Sequence, residues 1–321
     1  MSKTQKLYIK KYFIFFIKTL TFCLFVYFFF NFINQKYLLS SLTKFTFEGI
    51  FLIYLLFLIL PILLTLRWFI IVKNFSKMKF IDLLKNIISG LSFSLIFSTA
   101  LATDATKFIK LKKEIGYQKS LILVSIDKFS ALFLKIFFVY ILMIFYLYFY
   151  TQINFYYILF LVSIYIFLLL VFLKIDQIII FLYKKYLINK KKLDIELILK
   201  KTKKDIVKLI VVNLLIQLLN ICIYFLIFFF LQNNLTFFKL SVFVPIVELF
   251  AQFSFLVFGV REISTVYLLG FFSIEKELAL ASALIYLFIN YLVIITFYVS
   301  LNINRINIFQ KKKYRLKKMF F

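Results

Sequence analysis

The sequence contains no histidine. That excludes imidazole proton relays and imidazole metal ligands, the usual side-chain choice for both tasks. Its two cysteines, Cys23 and Cys222, lie inside apolar stretches and are too few for a disulfide framework. Five glycines and two prolines leave little loop material, and no Pro/Gly/Ser-rich linker divides the chain, so one domain is expected over residues 1–321. Negative charge is scarce too, with 13 Asp and Glu against 40 Lys and Arg, a net +27. The acids form no metal-binding cluster, and no Gly-x-x-x-x-Gly-Lys-Ser/Thr loop is present to cradle a nucleotide. No metal and no cofactor is expected.

Apolar residues are what the chain has in excess. They make up 64% of it, with a mean hydropathy of +1.01, against about 45–50% in a soluble domain. The chain therefore reads as an integral membrane protein. Six stretches approach the ~20 residues of a spanning helix, at about Tyr12–Phe32, Glu48–Val72, Lys128–Tyr150, Phe155–Leu173, Lys208–Leu231 and Leu278–Leu301. They are continuous apolar runs, without the period-two alternation of barrel strands. The expected fold is an all-α polytopic helix bundle. Residues 1–11 are basic and no small-residue cleavage site follows, so the first run is expected to be an uncleaved span. Lys18 and Lys135, near helix ends, are expected to snorkel to the interface.

Charge sets the expected orientation. The N-terminus carries four cations, Arg67–Lys85 five, Lys107–Lys119 five, Lys174–Lys208 eleven and the tail Arg305–Lys318 seven. Placing these in the cytoplasm puts both termini inside a cytoplasmic membrane, with residues 302–321 as a basic tail. The same cations would attract anionic headgroups, at roughly 1 kcal/mol each near the surface. Residues 174–208 suit either an amphipathic helix on an anionic leaflet or a solvated loop helix. Nucleic acid is not an expected partner, because no soluble module presents the charge.

Two segments are too polar and too short to cross comfortably. One runs from Asn86 to Ala100 and into Asp104 and Lys107; the other runs from Val242 to Glu248 and through Phe258-Gly259 into Arg261-Glu262. Residues 86–103 have basic flanks on both sides, so both ends belong in the cytoplasm. Residues 240–272 begin and end outside by the same logic. Two re-entrant or short helical hairpins, one from each face, would form a pseudo-inverted repeat of the kind that frames transporter sites. Alternatively, residues 86–103 form an ordinary short span, since eighteen residues at ~1.5 Å each reach about 27 Å.

Ionisable groups at membrane depth are costly and usually face a polar cavity. Asp104, Lys107, Asp127 and Lys128 flank the first segment, and Glu248, Arg261 and Glu262 flank the second. A phosphate headgroup crossing the membrane needs cations in place of its hydration, and arginine suits it best through bidentate bonding. Each cation needs a carboxylate while the site is empty. Arg261 is the one arginine outside the cytoplasmic segments. The structural alternatives are an Arg261–Glu262 ion pair at a helix end, an interfacial anchor at Asp127 and Lys128, and a protonated core Glu248.

The same residues carry a likeness. Arg67-Trp68, closing the second span, resembles the Arg-Trp found there in the lysylphosphatidylglycerol synthase transmembrane family, a flippase-like group. Thr103-Asp104-Ala105-Thr106-Lys107 resembles its Gly-Gly-Asp-x-x-Arg, and Gly116-Tyr117 is similar to its glycine turn. Ser125-Ile126-Asp127-Lys128 is similar to its Ser-Val-x-Asp-Arg, and Phe258-Gly259-Val260-Arg261-Glu262 to its Gly-hydrophobic-Gly-x-Arg-Glu. The likeness covers roughly residues 10–305. It departs at Ser98–Thr103, where the family has a Pro-Gly-Gly-x-Gly-Gly run, and at Lys107 and Lys128, where it has arginines. Glycine permits close backbone approach that alanine and threonine do not, which argues against phosphate cradling by bare backbone in the first hairpin.

The resemblance implies a lipid translocase for an anionic phospholipid or a polyprenyl-phosphate-linked lipid. Its substrate-binding residues would be Arg67, Asp104, Lys107, Asp127, Lys128, Glu248, Arg261 and Glu262, with no catalytic residue. It also implies a glycosyltransferase or lipid-synthesis partner. The soluble aminoacyl-transferase domain of bifunctional members has no counterpart after Leu301, so no enzyme activity is expected. The alternatives are a membrane-embedded transferase using Asp104 or Glu262 as general base, a scaffold for glycolipid assembly, and a small-solute carrier.

Overall fold

The computed structural model describes residues 33–94, 99–150, 205–233, 235–253 and 260–319, together with Tyr27, Asn31 and Ser163; the side chains of 99–100, 145, 147–150, 253 and 302–319 are excepted. All regular structure among these residues is helical. A short α1 (Gln35–Thr43) precedes the long α2 (Phe47–Val72). Then come α3 (Phe80–Ser94), α4 (Thr99–Ile115) and the long α5 (Tyr117–Tyr150). The second half contains the long α6 (Ile206–Phe230), α7 (Phe237–Phe253), α8 (Val260–Gly270) and the long α9 (Lys276–Met319). One succession thus occurs twice: a long helix, two short ones, a long one.

Local chemistry sets several boundaries. Asn34 and Thr46 cap α1 and α2, their side chains accepting from the Lys36 and Gly49 N–H groups at 3.1 and 3.3 Å. Glu48 in the first turn of α2 suits the positive end of the helix dipole. Gly116, at φ +85°, takes the left-handed conformation that a side chain resists, so α4 can end and α5 begin one residue later.

Among the described residues, three helices are long and apolar enough to cross a membrane by length and composition: Phe47–Val72, Ile206–Phe230 and Lys276–Leu301. Helix α5 contains the run expected from Lys128 but starts at Tyr117, and α9 continues through Met319, so the backbone of most of the expected tail is helical. Apart from Tyr27, Asn31 and Ser163, the spans expected at Tyr12–Phe32 and Phe155–Leu173 lie outside the described residues, as do Lys18 and nearly all of 174–208.

Contacts at both ends show that α2 and α6 run antiparallel. The end of α2 meets the start of α6, where Lys73 Nζ lies 3.0 Å from Asp205 Oδ1 and Asn74 donates to Asp205 Oδ2 at 3.2 Å. At the other end, Gly49 packs so closely on Phe230 that a Cβ there would sit 2.7 Å from its ring. The pair α3–α4 leaves from the first end and α7–α8 from the second. Each pair has its own apolar core. Trp68, Ile71, Leu83, Ile87, Leu111, Leu123 and Val212 fill one; Phe57, Tyr224, Phe228, Phe243, Val247, Tyr286 and Ile289 fill the other.

Helices α3 and α4 pack antiparallel, so residues 86–94 and 99–103 belong to two facing helices rather than to one short span. Gly90 on α3 faces α4, where an added Cβ would lie 2.5 Å from Thr106 Oγ1 and 2.8 Å from the Thr103 Cα. Both arms are longer than the 86–103 segment suggests, because Lys110 Nζ reaches back to the Asp82 carbonyl at 2.7 Å. Helices α7 and α8 also pack on each other, and α4 touches α7 where the two pairs meet.

Two measurements test this packing. Gly90→Val should push α3 and α4 apart and destabilise the protein by about 1–3 kcal/mol, seen as a lower melting temperature in detergent. Just before α6, burial raises the Asp205 carboxyl pKa, but the Lys73 and Asn74 hydrogen bonds outweigh it and hold the group below its ordinary 3.8. A depressed folded value means that the pairing stabilises the protein above pH 3.8 and is lost as pH falls through the lower folded value. Asp205→Asn should therefore lower the melting temperature at pH 7, and the gap from wild type should close under acid.

Candidate functional site

The charged residues of the first half form two ion-pair rungs between α4 and α5. Asp104 and Lys107 are one turn apart on α4, and Asp127 and Lys128 are adjacent on α5. Lys107 Nζ reaches Asp127 Oδ2 at 2.6 Å, and Lys128 Nζ reaches Asp104 Oδ2 at 2.7 Å. The spacing Asp-x-x-Lys against Asp-Lys thus pairs each acid with the cation opposite. The rungs differ in depth: the Asp127 side chain is 1% exposed, whereas Lys128 is 38% exposed.

Asp127 carries a second cation. Arg67 on α2 donates through Nε to Oδ1 at 2.8 Å and through Nη2 to Oδ2 at 3.3 Å, a bidentate fork. Its remaining Nη1 donates to Asn213 Oδ1 on α6 at 3.3 Å. Lys107 also stands over the Trp68 ring, 5.3 Å from the centroid, within cation–π range. Arg67-Trp68 therefore supplies a guanidinium to the carboxylate and an aromatic face to the competing ammonium.

A second ionic centre lies further along α5. Glu248 on α7 pairs with Arg261 Nη2 on α8 at 3.2 Å. Its other oxygen, Oε2, lies 3.7 Å from Lys135 Nζ on α5. The Tyr286 hydroxyl of α9 is within 3.4 Å of Glu248 Oε1 and 3.3 Å of Asn220 Oδ1, and its ring lies 4.7 Å from the Arg261 guanidinium carbon. Glu262 is buried next to Arg261.

All eight residues singled out in the sequence thus lie at or beside two ionic centres. Arg67, Lys107 and Asp127 form one, with the Asp104–Lys128 pair at its side; Glu248, Arg261 and Glu262 belong to the other. Glu248 is an ion-paired residue with two cations, and Asp127 sits inside the bundle rather than anchoring an interface. Lys135 corrects an expectation. It does not snorkel: its side chain is 5–6% exposed and pairs with Glu248, because Asp127, Ala131 and Lys135 recur every fourth residue on the buried face of α5. The sequence reading also missed Asn213, Gln217 and Asn220, buried at one-face spacing on α6. Three amides at i, i+4 and i+7 within an apolar run were the available signal.

The family described as Lysylphosphatidylglycerol synthase TM region matches residues 15–297, most of the chain. The chain belongs to this family. Neither a curated protein nor a solved structure matches it. Membership makes it a membrane protein of lipid metabolism. For this member of the lysylphosphatidylglycerol synthase TM region family, the Arg-Trp, Asp-x-x-Lys, Asp-Lys and Arg-Glu motifs all converge on the buried ionic centres.

The Asp127 centre has a direct test. Asp127→Asn leaves Arg67 and Lys107 buried without their carboxylate and should destabilise the protein by about 3–5 kcal/mol, read as a fall in melting temperature. Adding Lys107→Gln removes one orphaned cation and should recover part of that loss. Strictly additive losses would mean that the pairing is not the cause.

Proposed function

We propose that the chain is a lipid translocase that moves an anionic phospholipid or a polyprenyl-phosphate-linked lipid across the cytoplasmic membrane. The observation that carries this reading is Asp127, almost fully buried and holding both Arg67 and Lys107 at hydrogen-bond distance. Two cations around one carboxylate leave one positive charge uncompensated. A phosphate diester meets the need with two oxygens that share one negative charge, an acceptor pair that an arginine fork can grip as it grips a carboxylate. The carboxylate keeps the cations tolerable at depth while the site is empty, and a phosphate arriving from the bilayer takes part of their coordination. The acyl chains need not leave the lipid.

The helical architecture supports the same reading. The two short-helix pairs leave opposite ends of the antiparallel α2–α6 pair and meet through α4 and α7. We read them as re-entrant hairpins of an inverted repeat, with both termini cytoplasmic under the positive-inside rule. Movement would be passive or driven by an ion gradient, since the sequence has no nucleotide-binding loop. The family description, a transmembrane region named for a lipid synthase, fits a protein that handles lipid.

The test is a scrambling assay in proteoliposomes carrying fluorescent phosphatidylglycerol, with external reduction reporting the outer-leaflet fraction. Movement well above protein-free vesicles is expected. Arg67→Lys, which keeps the charge but loses the fork, should slow it severalfold. No movement above protein-free vesicles with phosphatidylglycerol, cardiolipin and a polyprenyl phosphate would overturn the reading.

A further inference from the structure

The two ionic centres are joined by a polar seam, and Gln217 sits at its middle. On α6, Asn213, Gln217 and Asn220 are 5%, 5% and 4% exposed, while Val211, Leu214, Leu215 and Leu218 of the same helix are exposed. The amides therefore form one inward stripe on a helix that is otherwise apolar. On α5 the matching stripe is Asp127, Ala131 and Lys135, all buried.

The two stripes are cross-linked at both ends. Arg67 bridges Asp127 to Asn213 at one end, through bonds of 2.8 and 3.3 Å. Tyr286 and Glu248 bridge Asn220 to Lys135 at the other, through 3.3, 3.4 and 3.7 Å. The separation along each stripe is similar, about 12 Å for eight residues of α5 and about 10 Å for seven of α6. Gln217 and Ala131 occupy the midpoints. The seam also falls between the two apolar cores, since Ile216 belongs to one and Ile221 to the other.

Gln217 Oε1 is buried with no hydrogen-bond partner among the described residues. Buried polar atoms are nearly always satisfied, and an exception calls for a reason. Polar side-chain atoms without a hydrogen bond among the described residues also lie at the two centres themselves, among them the donors Trp68 Nε1 in the first and Arg261 Nε in the second. Each centre therefore keeps an idle donor, and the residue between them keeps an idle acceptor. A carboxamide suits that middle position. Its NH₂ can donate to an oxyanion, its oxygen can accept from an ammonium or guanidinium, and it carries no charge to trap either.

We propose that the Asp127 and Glu248 centres are successive stations for one lipid phosphate, and that Gln217 is the hand-over residue between them. This rests on the translocase reading above. The phosphate leaves Arg67 and Lys107, is met by the Gln217 amide, and is received by Arg261 and Lys135. The Gln217 oxygen satisfies whichever cation is momentarily without its anion. Ala131 keeps the opposite wall free of a long side chain.

The experiment compares wild type, Gln217→Met and Leu218→Met in proteoliposomes with fluorescent phosphatidylglycerol. It also measures phosphatidylglycerol retained per protein after purification, and the melting temperature in detergent. Methionine keeps the length of glutamine and removes both hydrogen-bonding functions. Gln217→Met should lose at least tenfold in transfer rate while retained lipid stays within about twofold, because both stations are intact. Its melting temperature should equal or exceed that of wild type, since an unsatisfied buried acceptor is removed. The exposed neighbour variant Leu218→Met should keep the wild-type rate. If wild type moves lipid and Gln217→Met moves it equally fast, the hand-over proposal is overturned and the translocase reading stands. A fall in retained lipid or in melting temperature that matches the loss of rate would make Gln217 a binding or structural residue, which also overturns it. Where wild type is inert toward phosphatidylglycerol the same three proteins are compared with cardiolipin and a polyprenyl phosphate, and wild type inert toward all three lipids would sink the translocase reading, and this proposal with it.

Discussion

Asp127 is the point from which the charged interior is organised. One carboxylate receives a guanidinium from α2 and an ammonium from α4, and that same guanidinium carries the link on to Asn213 of α6. Four helices are thus tied at one buried group. In a bilayer there is little hydrophobic gain from pressing one apolar helix against another, so specificity comes from packing and polar contacts. A buried charge that is satisfied in only one arrangement is a strong selector of that arrangement, even where its net contribution to stability is small.

Glu248 repeats the device in the second half with different parts. Its cations come from α5 and α8, and tyrosine replaces tryptophan as the aromatic face, with Arg261 over Tyr286 where Lys107 stands over Trp68. The two centres share α5, which gives Asp127 to one and Lys135 to the other. That shared helix presents both centres on one buried face, and the amides of α6 line the opposite side. The remainder of the fold frames this arrangement: Gly49 and Gly90 let α2 approach α6 and α3 approach α4 closely, and the Lys73–Asp205 clasp fixes the end of α2 from which Arg67 projects.

Much of the site was legible because cost makes charge conspicuous. Asp104, Lys107, Asp127, Glu248 and Arg261 stand out in so apolar a chain, and the order of their motifs matches a family that covers residues 15–297. Lys135 was misread because position along a helix does not reveal which face is buried. Its i+8 relation to Asp127 carries meaning only once α5 is known to begin at Tyr117 and to pack on α7. Asn213, Gln217 and Asn220 are neutral, so they raise no alarm in a charge-based reading, although their helical spacing was visible.

The sequence alone determined a helical membrane protein, the positions of its long apolar helices within the described residues, and the residue types available for binding an anion. Those follow from composition and local periodicity, which act within a few residues. Which acid meets which cation was decided only by tertiary structure. Arg67 lies sixty residues from Asp127, and Lys135 is still further in sequence from Glu248. Helix packing brings them within bonding distance. The direction in which α2 crosses α6 and the antiparallel packing of α3 on α4 are properties of the assembled helices, and they set the pairing of charges that the local pattern could only supply in pieces.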